Sequence, residues 1–558
     1  MRLKKSLLCA SVMASAAVLA SSVTAYAGPP TVGAKAPASI SDILPLVDGV
    51  KTMTPIKHLV VIYDENVSFD HYFATYPTAT NPQGESPFTP PYRTPQINNL
   101  VSAGLLTTNP NDTNPGNGAN AALPFRLDPT QAETADQNHA YTAEQQSEDN
   151  GAADLFPEFT GHGTAGGVGA FGTQGQVMGY FDGNTVTAMW EYASHFALSD
   201  AAYTDTYGPS TPGALEAVSG QTNGLVTVVS NSTSYYVNDT QGGKTLINDV
   251  DPAYDVCSSK TNAAFLTAKN IGDLLNAAKL SWGGFMGGFN LSTTNTNNTT
   301  GCARSSTAVA SGVTTADYVP HHNWFQYFIS TSNPTHARPT ALGDIGYSYD
   351  SDNKADPANH EYDLSDFYAA VNAGDYPSVS YIKMIAIQDG HAGYSNPLDE
   401  QTGVVTLVNF LESQPDWKNT AIIITYDDSD GWYDHAYATP TRASFDAAAD
   451  QVNGAGICGT GTTPNGISGQ PVNGRCGPGV RIPFIVISPW AKRNYIDSTP
   501  ITQASIVQFI EDNWLHKERL GGGSFDASTG SIMSMFNFHG TGNSPALTLS
   551  PTTGEPTS

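Results

Sequence analysis

Basic side chains are scarce in this chain. It has 24 lysines and arginines against 51 aspartates and glutamates, which gives a formal net charge of −27 at pH 7. A protein this acidic repels nucleic acids and anionic membrane surfaces, so neither is expected as a partner. It also repels an anionic substrate, unless a bound cation reverses the sign of the field locally.

Several common catalytic signatures are missing as well. The chain contains neither the H-E-x-x-H pair of zinc peptidases nor the G-x-S-x-G turn of serine hydrolases. It has no P-loop lysine and no C-x-x-C pair. These absences disfavour a zincin, a hydrolase triad, nucleotide phosphoryl transfer and a cysteine-ligated zinc site.

The longest apolar run stands at the N-terminus, and no later segment is apolar enough to span a membrane. Three basic residues precede the apolar run 7–19, and the sequence AYA at 25–27 fits a cleavage site. The pattern predicts a signal peptide over 1–27 and an exported protein, periplasmic or secreted, with no stable membrane anchor. Loss of residues 1–27 removes three basic residues and changes the net charge from −27 to −30.

The predicted mature chain has four cysteines, an even number that indicates disulfides in an exported protein. Cys458 and Cys476 bracket a glycine-rich loop, and Cys257 and Cys302 bracket another. These two pairings are the predicted ones.

The apolar runs predict the fold class. Four continuous runs, 58–63, 379–385, 421–427 and 482–488, are typical of parallel strands covered on both faces. Helical patterns lie between them, at about 186–196, 270–279, 363–372, 400–413 and 502–516. This alternation predicts a doubly wound α/β domain that binds its ligand beyond the carboxyl ends of the strands.

The predicted domain spans 51–523, between a loose N-terminal arm at 28–50 and a poorly structured tail at 524–558. Three segments inside it, 74–135, 223–265 and 289–318, are rich in Asn, Thr, Gly and Ser. We interpret them as long loop insertions that form a cap over the sheet.

Two of the four runs end in oxygen-bearing side chains. The stretch KHLVVIYDENVSFDHYF ends its apolar run before Glu65 and Asn66, and TYDDSDGWYDH ends another before Asp427 and Asp428. Each cluster alone is explained by an ordinary turn, with Asn66 or Ser68 as a helix cap. Together, at neighbouring strand ends, they predict one metal site.

Two further features carry chemistry. The turn GPSTPG places Ser210 at the start of a helical segment, where the hydroxyl faces an incoming anion or simply caps the helix. Histidines are suited to proton transfer and phosphate binding. Five of them have unusual sequence neighbours: His139, His321, His322, His391 and His435.

These motifs resemble the bacterial phosphoesterase family, which contains phosphatidylcholine-type phospholipases C and respiratory-burst-inhibiting acid phosphatases. ENVSFDHYF is similar to the family signature ENRSFDxxFG, and six further segments match in order over about residues 55–520. They are the His139 segment, MGYFDGNTVTAMWEYASHFALSD before GPSTPGA, HHNWFQYF, DGHAGYSNP, WKNTAIIITYDDSDGWYDH and GPGVRIPFIVISPWA. The fold that this resemblance implies is similar to alkaline phosphatase and sulfatase.

The resemblance also implies a site. It implies one divalent metal ion held by Glu65, Asn66, Asp427 and Asp428 and also coordinated by Ser210, the nucleophile that the metal activates. It implies a phosphate pocket lined by His139, His321, His322 and His391. Oxygen ligands suit Ca, Mg or Mn, and the nearby histidines leave Zn or Fe open.

Departures from the family pattern guide the choice of activity. Val67 replaces the common Arg, Gly213 replaces an Asn that is frequent in the phospholipases, and the nucleophile is Ser rather than Thr. The His-His pair and the DGH segment resemble the acid phosphatase branch. The sequence therefore predicts an acid phosphatase acting on small-molecule phosphomonoesters, with a phospholipase C or other phosphodiesterase, and a non-catalytic binding protein, as alternatives.

Four residues near the predicted ligands have no assigned role in the chemistry. Asp434 and His435 follow the Asp pair closely in sequence. They are candidates to contact the metal ligands without contacting the metal itself. Asp64 and Asp70 are expected to shape the turn. The oligomeric state is left open.

Overall fold

The computed structural model describes residues 51–230, 232–540, 542 and 544–557. The predicted signal peptide, 1–27, and the predicted N-terminal arm, 28–50, lie outside the described residues. The first described residue, 51, is also the first residue of the predicted domain. Nineteen strands are present in this part of the chain: β1 His58–Asp64, β2 Phe125–Leu127, β3 Gly179–Phe181, β4 Ala197–Ser199, β5 Ala202–Tyr203, β6 Leu225–Ser230, β7 Tyr236–Asn238, β8 Lys244–Leu246, β9 Asp251–Pro252, β10 Asn262–Leu266, β11 Trp282–Met286, β12 Ser305–Thr307, β13 Thr314–Ala316, β14 Glu361–Asp363, β15 Val379–Lys383, β16 Thr420–Tyr426, β17 Phe484–Ile487, β18 Tyr495–Asp497 and β19 Ile501–Thr502.

The same part of the chain forms eleven α-helices, several of them a single turn long. They are α1 Phe69–Phe73, α2 Leu100–Ala103, α3 Pro110–Thr113, α4 Tyr141–Ser147, α5 Phe156–Phe159, α6 Thr187–His195, α7 Ser210–Ser219, α8 Ile271–Ala277, α9 Leu364–Ala373, α10 Pro397–Glu412 and α11 Ala504–Trp514. None of the described helices is both long and apolar enough to cross a bilayer.

An eight-stranded sheet forms the centre of the domain, in the order β14-β11-β15-β1-β16-β17-β4-β18. Every side chain of β1 and β16 is buried. Successive side chains of a strand point to opposite faces, so both faces of the sheet centre are covered. The predicted α/β class with a mostly parallel sheet is therefore confirmed.

One predicted strand direction is wrong. The run 482–488 forms β17, which pairs antiparallel with both β16 and β4, whereas the other described strands of this sheet pair in parallel with one another. A strand buried on both faces is apolar in either direction, so its composition does not reveal which way it runs. Long-range pairing decides the direction.

The five helical patterns between the apolar runs correspond to α6, α8, α9, α10 and α11. The largest difference at an N-terminus is in α10, which begins at Pro397. Asn396 caps it by accepting the N–H groups of Leu398 and Asp399. The first turn is polar because it serves the cap, so the apolar periodicity starts later than the helix.

The three loop-rich segments contain ordered structure. β6, β9 and β10 form a small sheet, β7 pairs with β8, and β12 pairs with β13. The predicted disulfides Cys257–Cys302 and Cys458–Cys476 are both present. The first of them ties the segment 223–265 to the segment 289–318.

The described residues beyond 523 are more ordered than the predicted tail. Phe525, Ile532, Phe536 and Leu549 are all buried. The last three belong to the main hydrophobic core. This part of the chain is poor in regular secondary structure, which is the reason that its sequence resembles an unstructured tail.

Candidate active site

The ends of β1 and β16 bring the two acidic clusters together. These strands are parallel neighbours, with Asp64 opposite Tyr426, so the residues that follow each strand lie side by side. The backbone N–H of Asn66 donates to Asp427 Oδ1 at 2.9 Å, and the N–H of Val67 donates to the Asp428 carbonyl oxygen at 3.0 Å. The predicted convergence at the carboxyl edge of the sheet is therefore present.

Asn66 is held in an uncommon backbone conformation. Its φ is +65°, in the left-handed region that asparagine tolerates better than most residues. Its side-chain amide donates to Asp430 Oδ1 at 3.0 Å, which turns its Oδ1 toward Ser210 at 3.4 Å. Ser68 caps α1 by accepting the His71 N–H, so the stretch holds both a helix cap and a cluster of oxygen ligands.

Ser210 is the first residue of α7 and is almost fully buried. Its Oγ lies 3.3 Å from Asp428 Oδ2. The Ser210 side chain does not cap the helix, since α7 has no side-chain cap. The next backbone N–H, of Thr211, donates to Asp249 Oδ1 at 2.9 Å. The GPSTPG turn suggested that the start of this helix faces an incoming anion. The Thr211 N–H is not free for one, because Asp249 already accepts it.

Gly213 explains how α7 comes so close to the end of β16. A Cβ at this position would lie 2.1 Å from the Asp427 carbonyl oxygen, which is closer than real Cβ atoms approach other atoms. The Tyr63 hydroxyl donates to the Gly213 carbonyl oxygen at 2.7 Å and holds the helix there. Any side chain at position 213 would therefore force this backbone to shift.

The four predicted metal ligands offer oxygen atoms of the kind that divalent cations bind, but the carboxylates of Glu65, Asp427 and Asp428 do not form a group with all ligand atoms within 4.8 Å of one another. Glu65, Asn66, Asp427 and Asp428 are all buried. Glu65 Oε2 and Asp427 Oδ2 have no hydrogen-bond partner, whereas Glu65 Oε1 lies against Lys383 and His322. Burial raises the pKa of Asp428 well above its usual value, and the charge of Asp427 adds to this effect. Buried carboxylates this close together are stable as anions only with a compensating positive charge.

Lys383 is one source of positive charge that the sequence analysis missed. It is the last residue of β15, is fully buried, and pairs with Glu65. Burial lowers the pKa of Lys383, while the charges of Asp427 and Asp389 act in the opposite direction. The available signal was a single lysine at the end of an otherwise apolar buried strand.

The four predicted pocket histidines surround this cluster. The ring centroids of His322 and His391 are 5.9 Å apart, and those of His139 and His391 are 6.1 Å apart. His321 packs on His322 at 4.4 Å. His322 Nδ1 lies 3.2 Å from Glu65 Oε1, which connects the histidines to the acidic cluster.

The histidines divide into two electrostatic classes. Burial lowers the pKa of His139, but the charges of Asp428 and Asp430 outweigh it and raise the pKa well above its usual value. His321 follows the same pattern: burial lowers its pKa, while Asp251 and Asp249 raise it more.

The other two histidines have lowered pKa values. Burial lowers the pKa of His322 to about 3, with a contribution from the charge of His321. Burial also lowers the pKa of His391. The raised pKa values of His139 and His321 therefore favour the expected protonated form, and the lowered pKa values of His322 and His391 favour the neutral form.

Asp434 and His435 lie in a separate network. Asp434 Oδ2 is 3.1 Å from the guanidinium of Arg481, and the His435 N–H donates to Asp70 Oδ2 at 2.9 Å. Asp70 also pairs with Arg481, at 3.3 Å. These acids hold a buried arginine, and Asp70 joins this network rather than shaping the turn. Asp64 does not shape the turn either, because neither of its carboxylate oxygens has a hydrogen-bond partner.

Three groups of acidic, histidine or cysteine side chains in the described chain bring potential metal ligands within 4.8 Å of one another. Asp136, His139 and His391 form the group that belongs to this site. A second group contains Cys257, which is in a disulfide, and the third is the one that binds Arg481. Asp136 and Asp430 were not assigned roles from sequence, and both contact His139.

Comparison with known proteins identifies the family of this chain. The model of the Phosphoesterase family matches residues 56–515. The non-hemolytic phospholipase C of Pseudomonas aeruginosa is 29% identical over 183 residues, which are 31% of this chain and 25% of that protein. The hemolytic phospholipase C of the same organism is 31% identical over 152 residues, 26% of this chain and 20% of that protein. These matches span a quarter or less of the relatives' own length.

A longer match is weaker in identity. Phospholipase C B of Mycobacterium tuberculosis is 22% identical over 502 residues, which are 87% of this chain and 78% of that protein. A solved structure from the glycosaminoglycan metabolism of Bacteroides thetaiotaomicron covers 63% of this chain and 76% of that chain, at 13% identity. Its TM-score of 0.28 is too low to support a fold assignment.

Proposed function

Because this chain belongs to the Phosphoesterase family, we propose that it is an exported, metal-dependent acid phosphatase that hydrolyses phosphomonoesters through a phosphoserine. The observation that carries the proposal is the position of Ser210. Its hydroxyl lies 3.4 Å from Asn66 Oδ1 and 3.3 Å from Asp428 Oδ2, at the edge of the sheet that also holds the buried carboxylates of Glu65 and Asp427. A buried hydroxyl beside acidic oxygens that can hold a cation is the arrangement that an activated nucleophile needs.

A divalent cation bound by Glu65, Asn66, Asp427 and Asp428 supplies positive charge that lowers the pKa of the Ser210 hydroxyl and offsets the charge of the phosphoryl oxygens. Oxygen ligands favour Ca, Mg or Mn for this position, and the adjacent histidines are compatible with Zn or Fe.

The reaction runs in two steps. Ser210 Oγ attacks phosphorus and passes its proton to Asp428 Oδ2, its hydrogen-bond acceptor. The bond between phosphorus and the ester oxygen breaks, and the leaving alcohol takes a proton from His139 or His321, the two histidines with raised pKa values. Water then attacks the phosphoserine and gives a proton to the histidine that protonated the alcohol, the bond from phosphorus to Oγ breaks, and Ser210 regains its proton from Asp428.

The preference for acid follows from the same groups. Phosphate monoesters carry up to two negative charges, and protonated His139 and His321 supply positive charge in a strongly acidic protein. The His-His pair and the DGH segment support the acid phosphatase branch. The alternative, a phospholipase C that cleaves phosphocholine-type esters, is supported by the names of the curated relatives. A non-catalytic binding protein is the remaining alternative.

The test compares p-nitrophenyl phosphate with p-nitrophenyl phosphorylcholine between about pH 4 and pH 8, with and without chelator. We expect turnover of the monoester, fastest in acid and lost with chelator. Ser210→Ala is expected to lower kcat by at least about a thousandfold. The matched control is Ser219→Ala, at the other end of α7, where Oγ donates to the Lys269 carbonyl oxygen.

Each alternative has its own result. Preference for the choline ester assigns the protein to the phospholipase C branch. Turnover that survives Ser210→Ala refutes the nucleophile, and the absence of turnover after metal supplementation favours a binding role. After an acid quench, a peptide containing Ser210 that is heavier by one phosphoryl group supports the covalent step.

A further inference from the structure

A buried glutamate joins the two segments that carry the candidate nucleophile and its proton acceptor. Glu144 lies in α4, the helix that begins two residues after His139, and it is only 2% exposed. Its carboxylate lies between two segments that are far apart in sequence, one containing Ser210 and the other containing Asp428. The sequence motifs gave no reason to assign this residue a role.

Each oxygen of the carboxylate bonds one of the two segments. Glu144 Oε2 accepts the backbone N–H of Gly208 at 2.8 Å. Glu144 Oε1 accepts the hydroxyl of Ser429 at 2.6 Å. Gly208 lies two residues before Ser210, and Ser429 directly follows Asp428. A single side chain therefore bridges the backbone that carries the nucleophile and the backbone that carries the acceptor of its proton.

The bond to Gly208 holds the backbone just before Ser210. Pro209 has no N–H, so the Gly208 N–H is the last backbone donor ahead of the serine. Gly208 has φ +117°, and a Cβ there would lie 2.8 Å from the Ile247 carbonyl oxygen. Only glycine is free of strain and of a clash in this position. Packing against Ile247 and the bond to Glu144 together fix this turn.

The bond to Ser429 continues into the loop that follows Asp428. Ser429 Oγ donates to Glu144 and accepts the N–H of Gly431 at 3.0 Å. Within this loop, the Asp430 N–H donates to Asp428 Oδ1 at 2.6 Å. One oxygen of Asp428 is therefore held by the loop, and Oδ2 is the oxygen that faces the nucleophile.

We propose that Glu144 is a positioning residue that sets the distance between Ser210 Oγ and Asp428 Oδ2. This role depends on Ser210 as the nucleophile and thus on the function proposed above. The two atoms are 3.3 Å apart, already longer than the usual distance of about 2.5–3.0 Å for a hydroxyl bond to oxygen. A further separation of the two segments would break the contact through which the serine passes on its proton.

The length and the charge of the side chain lead to different expectations. Aspartate is shorter than glutamate by one carbon–carbon bond, about 1.5 Å, so a carboxylate on it cannot reach both partners. Glutamine keeps the length of Glu144. Its Oε1 can accept the Gly208 N–H, while its Nε2 donates to Ser429 Oγ, which has a second lone pair for it. The bridge therefore survives the loss of charge but not the loss of length.

The experiment measures kcat and KM of the full chain, supplied with divalent cation, for p-nitrophenyl phosphate. We expect Glu144→Asp to lower kcat by about a hundredfold, because a displacement of about 1 Å has an effect of that size on rate. Its KM should stay within about twofold of wild type, since the residues that contact the phosphate are unchanged. We expect Glu144→Gln to keep kcat within about fivefold of wild type.

Glu148→Asp is the matched control. Glu148 directly follows α4 and is also 2% exposed, but its Oε2 has no hydrogen-bond partner. The same shortening there should leave kcat unchanged. Urea unfolding of each variant shows whether its kcat belongs to a folded protein. Ser429→Ala is the second variant that breaks the bridge. It leaves Glu144 in place and is expected to lower kcat by at least about tenfold.

Three results would overturn the proposal. They are wild-type kcat in Glu144→Asp and Ser429→Ala, an equal loss of kcat in Glu144→Asp and Glu144→Gln, and an equal loss in Glu148→Asp. The second result would assign the effect to the charge of Glu144 instead of the bridge. Absence of wild-type turnover, or turnover that survives Ser210→Ala, refutes the proposed function together with this role of Glu144. Turnover that depends on Ser210 but not on Glu144 refutes this role alone.

Discussion

Replacing Gly213 with alanine tests how closely α7 must approach the end of β16. The added Cβ would lie 2.1 Å from the Asp427 carbonyl oxygen, whereas real Cβ atoms stay at least 3.0 Å from such neighbours. The helix start and the strand end must therefore separate by about 1 Å, and a misplacement of that size costs on the order of a hundredfold in rate. Ser210 is three residues away on the same helix, so its hydroxyl moves away from Asp428.

The effect on stability is expected to be smaller than the effect on rate. Alanine is favoured over glycine inside a helix by about 1 kcal/mol. Overpacking against a rigid backbone costs about 1–3 kcal/mol, so the net loss is at most about 2 kcal/mol. Activity should thus fall in a protein that remains folded.

The assay measures kcat for p-nitrophenyl phosphate together with the free energy of unfolding in urea. Gly403→Ala, in the middle of α10, is the control. There the new Cβ meets only side-chain atoms, of Gln388 and Met384, at 3.3 Å. That control should keep the wild-type kcat. Wild-type kcat in Gly213→Ala, or equal losses in both variants, would refute the argument from the close approach.

Two further predictions concern buried charges. Lys383→Met removes the ammonium that pairs with Glu65, so we expect the metal-free protein to lose about 3–5 kcal/mol of stability. We expect added divalent cation to raise its Tm by more than it raises that of wild type, and an equal rise in both would contradict the role assigned to Lys383. Burial raises the pKa of Glu412 from 4.5 to about 7, so its contribution to stability is complete below about pH 4.5 and is lost as the pH rises through 7. Wild type should lose up to about 3 kcal/mol of stability through this carboxyl between about pH 5 and pH 8, and Glu412→Gln should not show that loss in urea unfolding. An unchanged pH dependence in the variant would show that this carboxyl does not titrate in that range.

The predicted positions of the site residues follow from a simple rule of parallel sheets. Glu65 and Asn66 end one apolar run, Asp427 and Asp428 end another, and parallel neighbours place such ends at one edge. Ser210 was identifiable from the turn that precedes its helix and from the family resemblance. These assignments depend on local patterns that are visible in the chain itself.

Other parts of the site depend on contacts between distant segments. Lys383 lies at the end of an apolar strand, and only its packing against Glu65 makes it part of the site. Asp434 and His435 stand close to the Asp pair in sequence, yet Asp434 pairs with Arg481 and His435 pairs with Asp70. The prediction that these two residues contact the metal ligands, which was based on their closeness in sequence, is therefore wrong.

Apolar runs, strand-end acids and helix-start turns in the amino-acid sequence are enough to predict an α/β sheet with an acidic edge, since each depends on solvation and on local backbone geometry. The direction of β17, the proton state of each histidine and the partner of Lys383 depend on which segments meet in space. Burial and nearby charge set those properties, and both arise only when the chain is folded.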